Sequence, residues 1–167
     1  MKTNSKQMAV GGVFAALAVV LMNLGGLIPV ATYTTPVLCM MLLKFVLLTC
    51  GKRIAWAWYG AVMILGLIMS PDKESAAVFA FLGYYPIIKP KLETMKGKWL
   101  WKALVFNTSM VLLYSILIRV MGVAAVTGES EELAGIMLTV LLLMGNVTFI
   151  ALDRMLTILE IRLRRKK

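Results

Sequence analysis

The sequence predicts an all-α integral membrane protein: six transmembrane helices with both termini on the cytoplasmic side. Three observations predict it. Six apolar segments are packed into 167 residues, leaving little chain for loops. Hydrophobic residues make up 60% of the chain and the mean hydropathy is +0.86, more apolar surface than a soluble domain with 16% charged residues can cover. The charges between the segments also alternate. Lys2 and Lys6 precede the first segment, Lys52 and Arg53 follow the second, Lys89, Lys91, Lys96, Lys98 and Lys102 follow the fourth, and Arg154 to Lys167 follow the sixth. The other three connections hold no net positive charge, and Glu129, Glu131 and Glu132 make one of them acidic. Lys and Arg are retained on the cytoplasmic side of a bilayer, so the alternation orients every segment. The net charge of +10 then reflects topology and contact with anionic lipid headgroups rather than nucleic acid. The expected location is a membrane with the basic loops on its cytoplasmic side, and the expected organisation is a single domain over residues 1–167.

Helix 1 is expected from Met8 to Leu24, as a retained span and not a cleaved signal, because more apolar segments follow at once. Gly11, Gly12, Ala15, Ala16 and Ala18 form a small-residue face, with Gly11/Ala15 and Gly12/Ala16 at the spacing that lets helices approach closely in lipid. Gly25-Gly26 ends the helix. The uncharged stretch Leu27–Thr35 is expected as a loop over the outer mouth, and Thr35-Pro36 as the cap and first-turn proline of helix 2, which returns to Cys50.

Gly51-Lys52-Arg53 is a short inner turn, and helix 3 rises from Ile54 to Met69. In the outer turn, Ser70 is the expected cap of helix 4, with Pro71 in its first position and Asp72 and Glu74 complementing its dipole. Helix 4, Ala76 to Ile88, is short of the roughly 20 residues needed to cross, and Gly83-Tyr84-Tyr85-Pro86 interrupts it. Lys89–Lys98 reads as a basic loop at the inner surface. Helix 5 is expected from Trp99 to Gly122 and helix 6 from Leu133 to Leu152. The tail, residues 153–167, is expected to continue helically past Asp153 as a basic amphipathic stretch at the interface. Trp56, Trp58, Trp99 and Trp101 read as a headgroup belt.

Lys44 sits mid-span in helix 2, where a charge costs at least about 2.5 kcal/mol and usually faces a bundle interior or cavity. No acidic residue is expected at its depth. Arg119 lies near the outer end of helix 5 and suits an anionic group. Asn107, Asn146, Ser109 and Thr148 can link helices or line a cavity. The chain has no His, and Cys39 and Cys50 stand roughly 16 Å apart on one helix. These residues supply no metal site and no cofactor site. No nucleophile–base pair or phosphate loop appears, so no enzymatic activity is expected. No nucleotide-binding sequence appears either, so energy for transport would come from a partner or an ion gradient.

The six-span layout, with the opening helix Ala9-Val-Gly-Gly-Val-Phe-Ala-Ala-Leu-Ala-Val-Val-Leu-Met22, resembles the substrate-binding (S) components of energy-coupling factor vitamin transporters. The family's Ala-x-x-x-Ala stands here as Gly11-x-x-x-Ala15 and Gly12-x-x-x-Ala16. The resemblance implies that the face of Gly11, Gly12, Ala15, Ala16 and Ala18 docks a transmembrane coupling protein joined to an ATPase pair. It also implies an outer substrate pocket beneath Leu27–Thr35. Asn23, Tyr33, Ser70 and Arg119 are expected around that pocket and Lys44 at its floor, which favours a small organic, vitamin-like molecule with an anionic group. The absent His and unextended N-terminus argue against the metal-binding branch, and no motif names a particular vitamin. The alternative reading is a six-helix scaffold of cell-envelope assembly with protein partners only. A channel would line several helices with matched polar residues, which this chain lacks.

Overall fold

A chain this apolar has little access to water for its peptide groups, so its backbone closes its hydrogen bonds within helices. A computed structural model describes residues 2–25, 31–121 and 131–165. Among them it contains seven helices and no strand: α1 Lys2–Gly25, α2 Ala31–Cys50, α3 Lys52–Met69, α4 Lys73–Leu82, α5 Tyr85–Glu93, α6 Lys98–Met121 and α7 Glu131–Arg164. Five segments are long and apolar enough to cross a membrane: Ser5–Gly25, Thr32–Cys50, Lys52–Met69, Lys98–Arg119 and Leu142–Leu163. The fourth expected span is the broken pair α4–α5, whose pieces of 10 and 9 residues reach only about 15 and 14 Å.

Several expectations shift. Helix 2 begins at Ala31 and not at Thr35-Pro36, so Tyr33 and its neighbours are helical and Pro36 lies inside α2. Of the expected loop, residues 27–30 lie outside the described residues, as do Gly26, Gly122, Glu129 and residues 166–167. Ser70 does not cap α4. It closes α3, its N–H donating to the Gly66 carbonyl at 2.9 Å. Asp72 caps α4 by accepting from the Ser75 N–H at 3.1 Å, because the extended backbone at Ser70 carries the chain two residues further before it coils. Gly51, at φ +89°, permits the abrupt reversal between α2 and α3.

α2 is the central helix, packed against α1, α3, α4, α5 and α7. α1 is drawn close to α3 where the Met22 sulfur lies over Gly66, at a distance that leaves no room for a β-carbon. Both thiols are buried in the α1–α2 seam, Cys39 against the Ala18 carbonyl and Cys50 against that of Gln7. Of the four tryptophans expected at the headgroups, Trp56, Trp99 and Trp101 are exposed. Trp58 instead is buried edge-on against Phe79.

The break in the fourth span falls at Gly83–Tyr84, as the sequence suggests. Pro86, lacking an N–H, sits in the first turn of α5, where none is needed. Side chains tie the break to its neighbours: the Tyr59 hydroxyl donates to the Ala80 carbonyl, and Tyr84 pairs with Ser109 of α6 at 2.9 Å. Asn107 and Asn146 exchange amide hydrogen bonds at 3.0 and 3.2 Å, joining α6 to α7.

The expected basic surface loop is shorter than Lys89–Lys98, a turn over residues 94–97. α5 carries on to Glu93, and Lys89 is wholly buried. Its ammonium donates to the Asp153 carboxylate, to the Asp153 carbonyl at 2.6 Å and to the Thr157 hydroxyl at 2.7 Å. Lys102 of α6 donates to the two Asp153 carboxylate oxygens at 3.1 and 2.9 Å, and the Tyr85 hydroxyl donates at 2.6 Å. Glu93 completes the network, 3.4 Å from Lys89 and 3.2 Å from Lys102. The tail continues helically past Asp153 as expected, but not as a purely interfacial stretch: α7 runs unbroken to Arg164, with Asp153 and Leu156 buried while Arg154, Met155 and Ile158 are exposed.

Asp153→Ala should therefore be among the most damaging single changes, because it leaves the buried Lys89 and Lys102 to share only the partly exposed Glu93. Loss of one partner from a buried ion pair costs about 3–5 kcal/mol. Its exposed neighbour should tolerate Arg154→Ala within about 0.5 kcal/mol. Melting temperatures of the purified variants in one detergent test the contrast, and equal values would show that the network adds nothing.

Candidate functional site

Helical faces at i, i+3, i+4 and i+7 spacing line an apolar cavity. α2 contributes Tyr33, Pro36, Val37 and Met40, α4 contributes Val78 and Leu82, and α6 contributes Phe106, Met110 and Tyr114. α7 contributes Val140, Met144, Gly145, Thr148, Phe149 and Leu152. They enclose about 290 Å³. Gly145 keeps the space open, since a methyl group there would meet Met110 at 3.1 Å and Phe106 at 3.4 Å. Phe106 and Phe149 stack at 4.4 Å, and Tyr85 meets Phe149 edge-on at 4.9 Å. The α7 wall is thin: Val140 and Met144 line the cavity yet are exposed on the helix surface. The lining offers contact area, polarisable methionine and a few hydroxyls, the composition of a binding cavity.

At the end away from the basic loops, two phenols form the rim. The Tyr33 hydroxyl donates to the Glu74 carboxylate at 2.7 Å and lies 3.2 Å from the Tyr114 hydroxyl, which itself reaches Glu74 at 3.5 Å. Glu74 makes no ion pair with any described residue. Adjacent Lys73 points elsewhere, donating to the Leu67 and Ile68 carbonyls at the end of α3 at 2.9 and 3.3 Å.

Of the five residues expected around a ligand, only Tyr33 lines this cavity. Asn23 donates to the Val19 carbonyl of its own helix at 2.8 Å. Ser70 is buried, donating to the Asp72 carbonyl at 3.0 Å and reaching the Met22 carbonyl at 3.5 Å, so it ties the α3–α4 turn to α1. Arg119 is exposed near the end of α6. Lys44, wholly buried, meets Glu160 at 2.7 Å. The expectation that no acid reaches its depth is corrected, because α7 continues along the bundle and brings Glu160 to it.

The residues missed were Glu74, Tyr114 and the α7 face. Phe106, Met110 and Tyr114 recur every four residues, a face legible in the sequence. Glu74 was assigned to helix-dipole chemistry, which its position in the first turn of α4 also satisfies.

A second concavity is an open groove of about 610 Å³ between the N-terminal halves of α1 and α3. Gly11, Gly12 and Ala15 line it from α1, and Ala57 and Ala61 from α3, with Arg53 at one end. Ala57/Ala61 is a further small-residue pair that sequence reading passed over. Of the expected docking face, Ala16 points outward and Ala18 is wholly buried, so neither lines the groove. Gly12 has open space where a side chain would stand. Among the described residues no three His, Cys, Asp or Glu side chains gather as a metal site would require.

Compared with known proteins, the chain matches no family profile, no curated protein and no solved structure.

If Lys44 is structural, charge removal should be asymmetric. Glu160→Gln leaves a fully buried ammonium without its anion, whereas Lys44→Met leaves a carboxylate whose side chain is 19% exposed and retains some hydration. Glu160→Gln should lower the melting temperature more, and Lys44→Met/Glu160→Leu should recover most of the loss. A double variant no better than Glu160→Gln alone would refute the pairing.

Proposed function

We propose that the protein is the membrane-embedded substrate-binding subunit of an energy-coupling-factor-type importer in a bacterial cytoplasmic membrane. It captures a small organic molecule from outside and passes it to a transmembrane coupling protein driven by an ATPase pair. The observation that carries this reading is the pairing of two concavities at opposite ends of one bundle. One is a partly open, mostly apolar cavity beneath Tyr33 and Tyr114. The other is an open groove of glycine and alanine between α1 and α3. The first has the character of a small-molecule site. The second allows another helix the close backbone approach on which association in lipid depends.

In this reading α4 and α5 together make the fourth of six spans, and the basic ends of the helices are cytoplasmic. The Glu74 rim then faces outward and the groove opens toward the inner leaflet. Broken helices at membrane depth are tolerated where protein satisfies their backbone, as Tyr59 does here for Ala80. Lys52, Arg53, Lys91, Lys96 and Lys98, all exposed, meet the anionic inner surface. The earlier expectation of an anionic substrate rested on Lys44 and Arg119, neither of which lines the cavity. The proposal therefore keeps the small organic molecule and drops its negative charge.

Orientation is tested by thiol labelling, since both native cysteines are buried. Glu131→Cys should react with an impermeant reagent from outside, and Lys96→Cys only from inside. The reverse pattern would overturn the topology. The partner is tested by purification from the native host, with mass spectrometry of co-purifying proteins. Gly12→Trp fills the groove where nothing stands within 4 Å. It should cut recovery of the coupling protein and ATPases by about tenfold without changing the melting temperature. Recovery of cell-wall assembly proteins and no ATPase would favour the scaffold reading instead.

A further inference from the structure

Granting that the cavity is the ligand site, we propose that its ligand is an organic cation: a small apolar or aromatic body carrying an ammonium or other fixed positive group at one end, which lodges at the rim formed by Tyr33, Tyr114 and Glu74. Three observations carry the inference. The rim holds a carboxylate without a cationic partner among the described residues, since Glu74 receives only the two phenolic hydroxyls. The charges that could have neutralised it are committed or directed elsewhere. Lys73 is spent on the carbonyls of α3, and Arg119 follows Tyr114 by five residues, about 140° around α6 from the face that lines the cavity. The positive end of the α4 dipole amounts to roughly half a charge, and it is shared with Asp72, which already caps that helix. The mouth of an apolar cavity therefore carries net negative charge.

The aromatic faces fit the same guest. Tyr33 and Tyr114 line the cavity with their rings while their hydroxyls hold Glu74. A cation above phenolic rings is attracted by their negative faces, and a carboxylate beside them adds direct Coulomb attraction. Below the rim the lining turns to Met40, Met110, Phe106 and Phe149, which offer no charged partner and suit an apolar body. The volume, about 290 Å³, lies at the lower end of ligand pockets and admits a single-ring compound. An anionic guest would bring its charge against Glu74 with no described cation in reach.

The test uses purified full-length protein in lipid nanodiscs, with protein-free nanodiscs as the partition control. Equilibrium dialysis measures three probes of similar shape: benzyltrimethylammonium, its neutral isostere neopentylbenzene, and 3-phenylpropionate. The expected result is that benzyltrimethylammonium binds about tenfold more tightly than neopentylbenzene and that 3-phenylpropionate does not bind. Glu74→Gln should remove the cation preference while neopentylbenzene still binds, which also shows that the variant is folded. Gly145→Leu should abolish binding of every probe. If the three probes bind wild-type protein equally, or the neutral or anionic one prevails, the cation assignment fails while the cavity stands as a ligand site. A preference that survives Glu74→Gln also overturns the assignment. Failure of all three probes on wild-type protein would overturn the ligand-site reading itself.

Discussion

The bundle depends on the need to neutralise three lysines inside it. Lys44, Lys89 and Lys102 are buried, and each requires an anion that the apolar helices around them do not supply. Asp153, Glu93 and Glu160 supply the three negative charges. This requirement explains why α7 runs unbroken for 34 residues, about 51 Å, well beyond the roughly 30 Å of a hydrocarbon core. Only a continued helix carries Asp153 to α5 and α6 and Glu160 onward to α2. It also fits the break between α4 and α5, after which Tyr85 and Lys89 lie against Asp153.

The same break shapes the cavity. A single straight helix through residues 73–93 would present one continuous face to α2 and α6. The two short pieces instead leave Val78 and Leu82 as the only α4 contributions to the cavity wall. Opposite them Gly145 withholds a side chain from α7. The gap is thus bounded by a broken helix on one side and a glycine on the other, and flexible methionine and stacked phenylalanine rings line it rather than fill it. The ion network on one side and the tyrosine–glutamate rim on the other separate two polar regions by an apolar chamber.

Much of this was legible in the sequence, and the rest was hidden for identifiable physical reasons. The all-helical, apolar character of the chain and the Gly83–Tyr84 break follow from hydropathy and punctuation, which are local signals. The start of α2 was misplaced because Pro36 imitates a first-turn proline, although α2 accommodates it within the helix. Lys89 and Lys102 were indistinguishable from the surface lysines around them, since charge patterning counts residues and cannot see which ones an aspartate 64 or 51 positions away will capture. Placing residues 153–167 at the interface, away from the bundle, then hid both Asp153 and Glu160. Within the candidate site, Tyr33 was identifiable from its place near the predicted outer mouth. Glu74 was not, because a carboxylate in a first helical turn already has a sufficient local explanation.

The Lys44–Glu160 contact spans 116 positions in the chain. At about 5–20 residues per second, a ribosome that has just made Lys44 needs roughly 6–23 s to reach Glu160. Throughout that interval the lysine has entered, or waits to enter, the membrane with its eventual anion not yet in existence. The helix at the centre of the bundle therefore cannot settle into its final environment until α7 has been delivered. Assembly is gated by the synthesis of α7, and a chain cut short before Glu160 holds a stranded charge at its core.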